Sequence, residues 1–459
     1  MSAEQPLPRS WTETTLDSLL HRIEAGLNVK CEERPPNLGE KGLVKISAVT
    51  WGQFDELQSK TLPASETPVP SNRIQPGDLL ISRANTIELV GSSVIVKELQ
   101  RELYLSDKVL RLVVHEPSKR WINYALKTPA LRKAIEDGSS GNQLSMRNIS
   151  QEKLKALPLP LAPEAEQKRI ADKLDTVSPR VDAVNTRLAR VAPLLKRFRQ
   201  SVLAAATSGR LTEDWRAGQP DISEWKTEKL NDLGELGRGK SKHRPRNDPR
   251  LYGGVHPFVQ TGDVANANQW ITSHKQTYSD FGLDQSKLWP ANTLCITIAA
   301  NIADTALLSY PACFPDSVVG FVANEACCLP RFIKWSIDVR KDDLERLAPA
   351  TAQKNINLGV LEEVEIHLPS LEEQTEIVRR VETLFAFADR LEARLAQAQT
   401  AATRLTPALL AKAFRGELVP QDPNDEPAAE LLRRLQAQRA TAPKASAGRG
   451  RKAAVRSEG

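Results

Sequence analysis

From residue 170 onward the apolar positions fall on a helical beat. Ile170, Leu174, Val177, Val181, Val184, Leu188, Val191, Leu195, Phe198 and Val202 alternate spacings of four and three. That repeat lays a single apolar seam along a helix and drives it against a partner helix. A second run, Ile377, Val381, Leu384, Ala388, Leu391, Leu395, Ala398, Ala402, Leu405 and Leu409, keeps the same beat. The remaining chain is patterned differently. Short apolar runs such as Leu79-Leu80-Ile81 and Gly91–Val96 are interrupted by Gly, Pro and Asn, which predicts short strands, turns and a few helices. The expected architecture is α+β: a globular part over 1–162, a long helix over 163–209, a second globular part over 221–369, a second long helix over 370–416, and a C-terminal segment over 417–459. Pro179 and Pro193 in the first helix and Pro407 in the second predict kinks or breaks. Gly209 and Gly416 fall where the seams end and read as stop signals.

The pattern is written twice. Trp11, Leu16, Leu19, Pro76 and Leu80 reappear 214 residues later as Trp225, Leu230, Leu233, Pro290 and Leu294. The offset tightens to 209 for Leu159-Pro160 against Leu368-Pro369, and to 207 for Glu166-Gln167 against Glu373-Gln374. From Glu166 to Leu211 the 207 offset holds without a gap and 14 of 46 positions are identical, so the chain is an internal duplication. The link 210–220 is short, so helix two can bury its seam against helix one only by running back along it. The expected object is a dumbbell with an antiparallel coiled-coil shaft and pseudo-twofold halves, like a dimer fused into one chain. A plainer reading, a helical hairpin that packs two domains together, describes the shaft equally well.

Composition narrows this. A chain of 459 residues exceeds one compact domain, and 26% charged with 40% hydrophobic residues fits neither a disordered nor a membrane protein. The most apolar stretch, Cys295–Cys313, contains Asn301 and Asp304, and the start lacks a basic and apolar leader, so a cytoplasmic protein with no membrane span is expected. Five cysteines without a CxxC pair predict reduced core thiols, and six scattered histidines give no metal-binding pattern. The formal net charge is +6, but Arg439–Gly459 alone carries +5. That tail reads as a solvated, disordered terminus with non-specific phosphate affinity, and charge alone does not establish DNA binding.

One motif misleads. Gly234 to Ser241 matches GxxxxGK[ST], yet a phosphate loop needs a buried strand before it and a helix after it. Trp225–Leu233 is polar and amphipathic, the prolines of 242–249 prevent a helix, and the equivalent loop near Gly26 lacks Lys-Ser. Nucleotide binding is therefore rejected, and no other catalytic constellation is present, so the chain is not expected to be an enzyme by itself. The densest positive cluster outside the tail is a proline-rich loop with Lys240, Lys242, Arg244, Arg246 and Arg250, beside His243, which reads as a phosphate- or base-contacting loop. Two further loops recur in both copies. Ser82–Asn85, with Arg83 and Asn85, corresponds to Thr297–Asn301, and 141–148, with Gln143 and Arg147, corresponds to 352–357, with Gln353 and Lys354. Arg, Asn and Gln present the forks that read guanine and adenine edges, which makes these residues and Asn301 candidates, although the same residue types also serve ordinary turns.

These residues carry a resemblance. A unit opening on Trp, then Pro76–Arg83, then Leu-Pro-Leu-Pro, Glu166-Gln167 and a long helix ending at Ser208–Thr212, resembles the specificity subunit of Type I restriction–modification enzymes. The plan repeats with Leu368-Pro369, Glu373-Gln374 and Ala413–Leu418, so the likeness spans residues 10 to about 435. It implies a non-catalytic subunit in which each globular part reads one half of a split, asymmetric double-stranded DNA target and the helices form the spacer. It further implies two docked modification subunits that bind S-adenosylmethionine and methylate adenine, and restriction subunits that use ATP and Mg²⁺, with no cofactor held by this chain. Recognition loops vary within the family, so no base-contacting residue transfers by motif. The alternatives are a coiled-coil scaffold with protein-binding heads and a nucleotide-using enzyme built on 234–241.

Overall fold

The computed structural model describes residues 6–143, 146–219, 224–243, 245–299, 301–347 and 355–441, with Asn142 and Gln143 described by their backbone alone. Two compact units result: Met1–Arg187 with Gln399–Gly459, and Leu188–Ala398. The architecture is α+β.

In the first unit a four-stranded antiparallel sheet has the order Leu20–Glu24, Val109–Val114, Leu79–Ser82, Ser93–Ile95. Side chains alternate across a strand, so Leu79 and Ile81 enter one cluster with Leu110 and Leu112, while Leu80 enters the opposite one with Val94 and Val109. Both faces are covered, which is why this strand reads as an unbroken apolar run. The second unit repeats the design with Gly234–Arg238, Val318–Ala323, Leu294–Thr297 and Thr305–Leu308, and adds Trp270–Ile271 as a fifth, parallel strand. Leu294 and Ile296 face one cluster and Cys295 the other. The sequence repeat is thus a repeat of sheet topology.

In each unit a two-stranded ladder joins the opening segment to the approach of a long helix: Thr12–Thr15 with Pro158–Leu161, and Lys226–Lys229 with Glu365–Leu368. The repeat markers meet at this point. Trp11 Nε1 donates to Glu166 Oε2 at 2.9 Å, and Trp225 Nε1 donates to Glu373 Oε2 at 2.9 Å. Both carboxylates are buried in the first turn of a helix, where the helix dipole favours a negative charge. Their other oxygens differ. Glu166 Oε1 accepts from Gln421, whereas Glu373 Oε1 accepts from Thr212 at 2.7 Å and from Arg216 at 2.5 Å. Burial raises the Glu166 carboxyl above the ordinary glutamate value, against the opposing donation from Trp11 and Gln421.

The long helices run Glu164–Thr207 and Leu371–Phe414, 44 residues each. The breaks expected at Pro179, Pro193 and Pro407 do not occur. All three rings lie on exposed positions, where the carbonyl that loses its donor can be hydrated. The glycine stops hold, since Gly209 and Gly416 have φ of 76° and 73°. After Phe414, Gly416 N donates to Ala413 O and Glu417 N to Lys412 O, which satisfies two terminal carbonyls in a Schellman motif.

Within the first unit Ile170 and Leu174 pack in one cluster with Leu410 and Ala413, and within the second Val202 and Ala206 share one with Ile377 and Val381. Rising numbers on one helix meet falling numbers on the other, so the pairing inside the second unit is antiparallel. Arg199 to Asp389 at 2.6 Å and Glu392 at 3.2 Å fixes it there. Val181, Leu195 and Leu395 are also buried, and Val177, Leu188, Val191, Phe198, Leu384, Leu391 and Leu409 are half-buried. Two seam assignments fail: Val184 is 43% exposed and Leu405 is 45% exposed. A straight helix drifts about 20° per heptad away from a strict seven-residue repeat, so the row expected at Leu405 has turned outward and Leu410 takes the buried place.

Ala428–Thr441 forms a further helix of the first unit, with Leu431 and Leu435 buried beside Leu16 and Leu19. Arg439, counted above with the solvated tail, instead bonds the Leu20 carbonyl and Asp17. Residues 442–459 lie outside the described residues.

Candidate nucleic-acid interface

In the first unit the sequence candidates converge. Ala84–Asn85 pairs with Met146–Asn148, which pairs with Ser140–Gln143, in a small three-stranded sheet with Arg147 opposite Asn85. Gly141 sits at the register shift of this hairpin, where its φ is 146° and a Cβ would lie 2.4 Å from Met146 O. Not every fork on this sheet is available. The Arg147 guanidinium donates to Ser139 O at 2.6 Å, Ser139 Oγ at 3.1 Å and Gly141 O at 2.9 Å, so it clamps the hairpin. Asn85 gives Nδ2 to Thr50 Oγ1 at 3.2 Å and accepts from Thr86 N at 2.9 Å. Arg83 makes no side-chain hydrogen bond or close ion pair among the described residues, its charge acting only on the exposed Glu152, and its backbone N–H donates to Lys108 O at 2.8 Å. Lys108, exposed at the neighbouring turn, is a cation that sequence reasoning missed. Only the strand pairing brings it beside Arg83. The side chain of Gln143 lies outside the described residues.

In the second unit, Arg238 and Ile296 both pair with Val319 from opposite sides, so the basic loop after Arg238 and the turn carrying Asn301 leave the same end of the sheet. The loop is folded onto acids. Asp248 accepts from Arg250 Nη2 at 2.8 Å and from His243 Nε2 at 2.8 Å, while Arg246 pairs with Asp316 at 2.6 Å. Donation from Arg250, through its side chain and its backbone N–H, holds the Asp248 carboxyl far below the usual carboxylate range. Arg250 also lies over the Phe281 ring, 5.2 Å from its centre. Lys240 and Lys242 are exposed; their backbones bond Ser286 Oγ and Gln285 O, and neither ammonium has a hydrogen-bond or ion-pair partner among the described residues. Asn301 is exposed, with its backbone N–H on Ala299 O. Arg244, Gln353 and Lys354 lie outside the described residues.

The phosphate-loop look-alike is an edge strand. Gly234–Arg238 pairs along its whole length with Val319–Ala323, Gly239 N donates to Val318 O, and a Cβ on Gly239 would lie 2.3 Å from Pro315 O. The segment is extended in a ladder rather than looped, and among the described residues no α-helix follows directly. All five cysteines are free, and burial pushes the Cys328 thiol up to about 12. Among the described residues no group of three or more His, Cys, Asp or Glu could hold a metal ion, and no helix is long and apolar enough to cross a membrane.

A sheet topology used twice, with a differently charged loop surface on each copy and a long helix leaving each, defines a two-headed recognition protein. Known proteins agree with that class. The family model described as the Type I restriction modification DNA specificity domain matches residues 222–399. The EcoBI specificity subunit of Escherichia coli is 30% identical, over 94% of this chain and 93% of its own length. The EcoKI specificity subunit of Escherichia coli K12 is 28% identical over 94% and 95%. Two solved structures share the fold. A chain from a type I R-M system studied for complex assembly and conformational transition superposes with a TM-score of 0.67, 18% identity and coverage of 90% of this chain and 100% of its own. The HsdS subunit of Thermoanaerobacter tengcongensis gives 0.57, 18%, 90% and 99%. This chain belongs to the Type I restriction enzyme specificity subunits.

Proposed function

We propose that this chain is the DNA-specificity subunit of a cytoplasmic Type I restriction–modification complex, each unit reading one half of a bipartite, asymmetric target. The observation that carries the reading is the duplication of one sheet topology under two unlike surfaces. Arg83 and Lys108 stand unpaired on the first, and Lys240 and Lys242 on the second. Two different surfaces read two different half-sites. The long helices act as the spacer and dock two modification subunits, and restriction subunits join the complete assembly. In this reading chemistry resides on those partners, which supply the S-adenosylmethionine, ATP and Mg²⁺ sites, and this chain supplies position.

The test is competitive DNA binding by the assembled complex across a salt series. Target DNA should retain an advantage over scrambled DNA at every salt concentration, while both affinities fall as salt rises. Replacing Lys240 and Lys242 with Ala should weaken target and scrambled DNA alike and flatten the salt slope. Equal affinity for target and scrambled duplexes, or salt-insensitive binding, would favour a protein-binding scaffold instead.

A further inference from the structure

Trp51 is the one exposed tryptophan of the eight. It is 74% exposed, whereas Trp11, Trp121, Trp289 and Trp335 are buried and Trp215, Trp225 and Trp270 are half-buried. An indole left in water contributes nothing to the core and incurs the full cost of its apolar area. The residues around it form a rigid mount. Ala48 and Val49, in the turn just before it, are fully buried. Thr50 Oγ1 donates to Ile46 O at 2.9 Å and accepts from Asn85 Nδ2 at 3.2 Å. Gly52 completes the tip with a φ of 80°, a conformation that favours glycine.

This mount is hydrogen-bonded directly to the strand that carries the recognition candidates of the first unit. Met146, 48% exposed, adjoins Arg147, the residue paired with Asn85. Two exposed apolar side chains therefore adjoin segments bonded to the Ala84–Asn85 strand, which follows directly on Arg83, whose backbone N–H meets Lys108. Cations free to meet phosphate, and an aromatic ring without a ring or cation partner among the described residues, carried on segments joined by the Thr50–Asn85 hydrogen bond, form the pair of features that engages a base stack. The ring supplies a flat face for a base, or a wedge between two base pairs.

We propose that Trp51 is a positioning residue that enters the base stack of the half-site read by the first unit. Methylation of a base inside a duplex requires that base to leave the stack, and a ring that unstacks a neighbouring step lowers the energy of doing so. The role is confined to the first unit. At the 214 offset the second unit has Ala265, inside the Thr261–Asn266 helix. This inference rests on the DNA-specificity reading.

The experiment uses the complete methyltransferase complex containing this chain, with target duplexes carrying 2-aminopurine at successive positions of both half-sites. Wild type should raise 2-aminopurine emission at a step in the first half-site. Trp51→Ala, whose melting temperature should match wild type, should lose that signal and bind target about tenfold or more weakly. It should leave the second half-site signal intact. Trp51→Phe should restore much of both losses. Trp51→Ala that keeps the emission pattern, and affinity within about twofold of wild type, would overturn the inference while leaving the DNA reading in place. A wild-type complex that fails to distinguish target from scrambled DNA would overturn both.

Discussion

The two buried glutamates show how one contact diverges after duplication. Glu166 and Glu373 occupy equivalent places and accept from equivalent indoles, but only Glu373 makes a direct ion pair with a guanidinium, that of Arg216. Glu166→Gln should be tolerated, because the Gln421 amide can turn to accept where it now donates. Glu373→Gln should cost about 1–3 kcal/mol, because Arg216 has no acceptor capacity with which to adapt. Thermal denaturation of the two variants checks the difference. The raised Glu166 carboxyl also fixes a sign for pH. Its folded form takes up a proton more readily than the unfolded chain does, so its contribution opposes folding above the folded value. That opposition is relieved as pH falls through that value toward the ordinary one. Wild type should therefore gain stability relative to Glu166→Gln as pH is lowered from neutrality toward the ordinary glutamate value. The thiols supply a second check. A maleimide at neutral pH should label Cys31 and Cys327, which are half-buried, and spare Cys295, Cys313 and Cys328, which are buried. Modification of Cys295 in the native protein would contradict its burial in the cluster on one face of the sheet.

The helices were the most legible elements, because a repeat sustained over ten seam positions survives local irregularity. Their limits were equally readable at Gly209 and Gly416. What the pattern did not reveal was the exposure of Val184, the outward turn at Leu405, which depends on helical phase accumulated over many turns, or the tolerance of the three prolines, which depends on which face is wet. Leu395→Ala should cost about 2–5 kcal/mol, and Leu405→Ala should change stability by no more than about 0.5 kcal/mol. Similar losses at both positions would restore Leu405 to the seam. Gly416→Ala should be destabilising by about 1–3 kcal/mol, since its backbone is left-handed and a Cβ would lie 2.5 Å from Pro8 Cγ. The candidate sites were only partly legible. Arg83 and Arg147 look alike in sequence, yet one is unpaired and the other is held by three hydrogen bonds to Ser139 and Gly141. Lys108 and Trp51 stand next to the candidates only through strand pairing and a side-chain hydrogen bond from distant positions.

At the scale of the whole chain, the repeat in sequence is a repeat in topology, and each unit draws on part of both long helices. Residues up to Arg187 of the first helix belong with Gln399 onward of the second, and Leu188 onward of the first with the second up to Ala398. The second unit is one continuous stretch, whereas the first is completed by a segment encoded far from it, which explains why the markers Trp11, Glu166 and Gln421 come from three separate regions. The duplication of one recognition design under two unlike surfaces is the basis for a two-part target. The most direct test is to express this chain with its modification subunits in a host that lacks adenine methylation, and to sequence the methylated genome at single-molecule resolution. The expected result is one new N6-methyladenine motif made of two unlike half-sites at a fixed separation, with substitutions at residues 83–85 altering only one of the two. A continuous motif, or methylation whose motif does not depend on this chain, would contradict it.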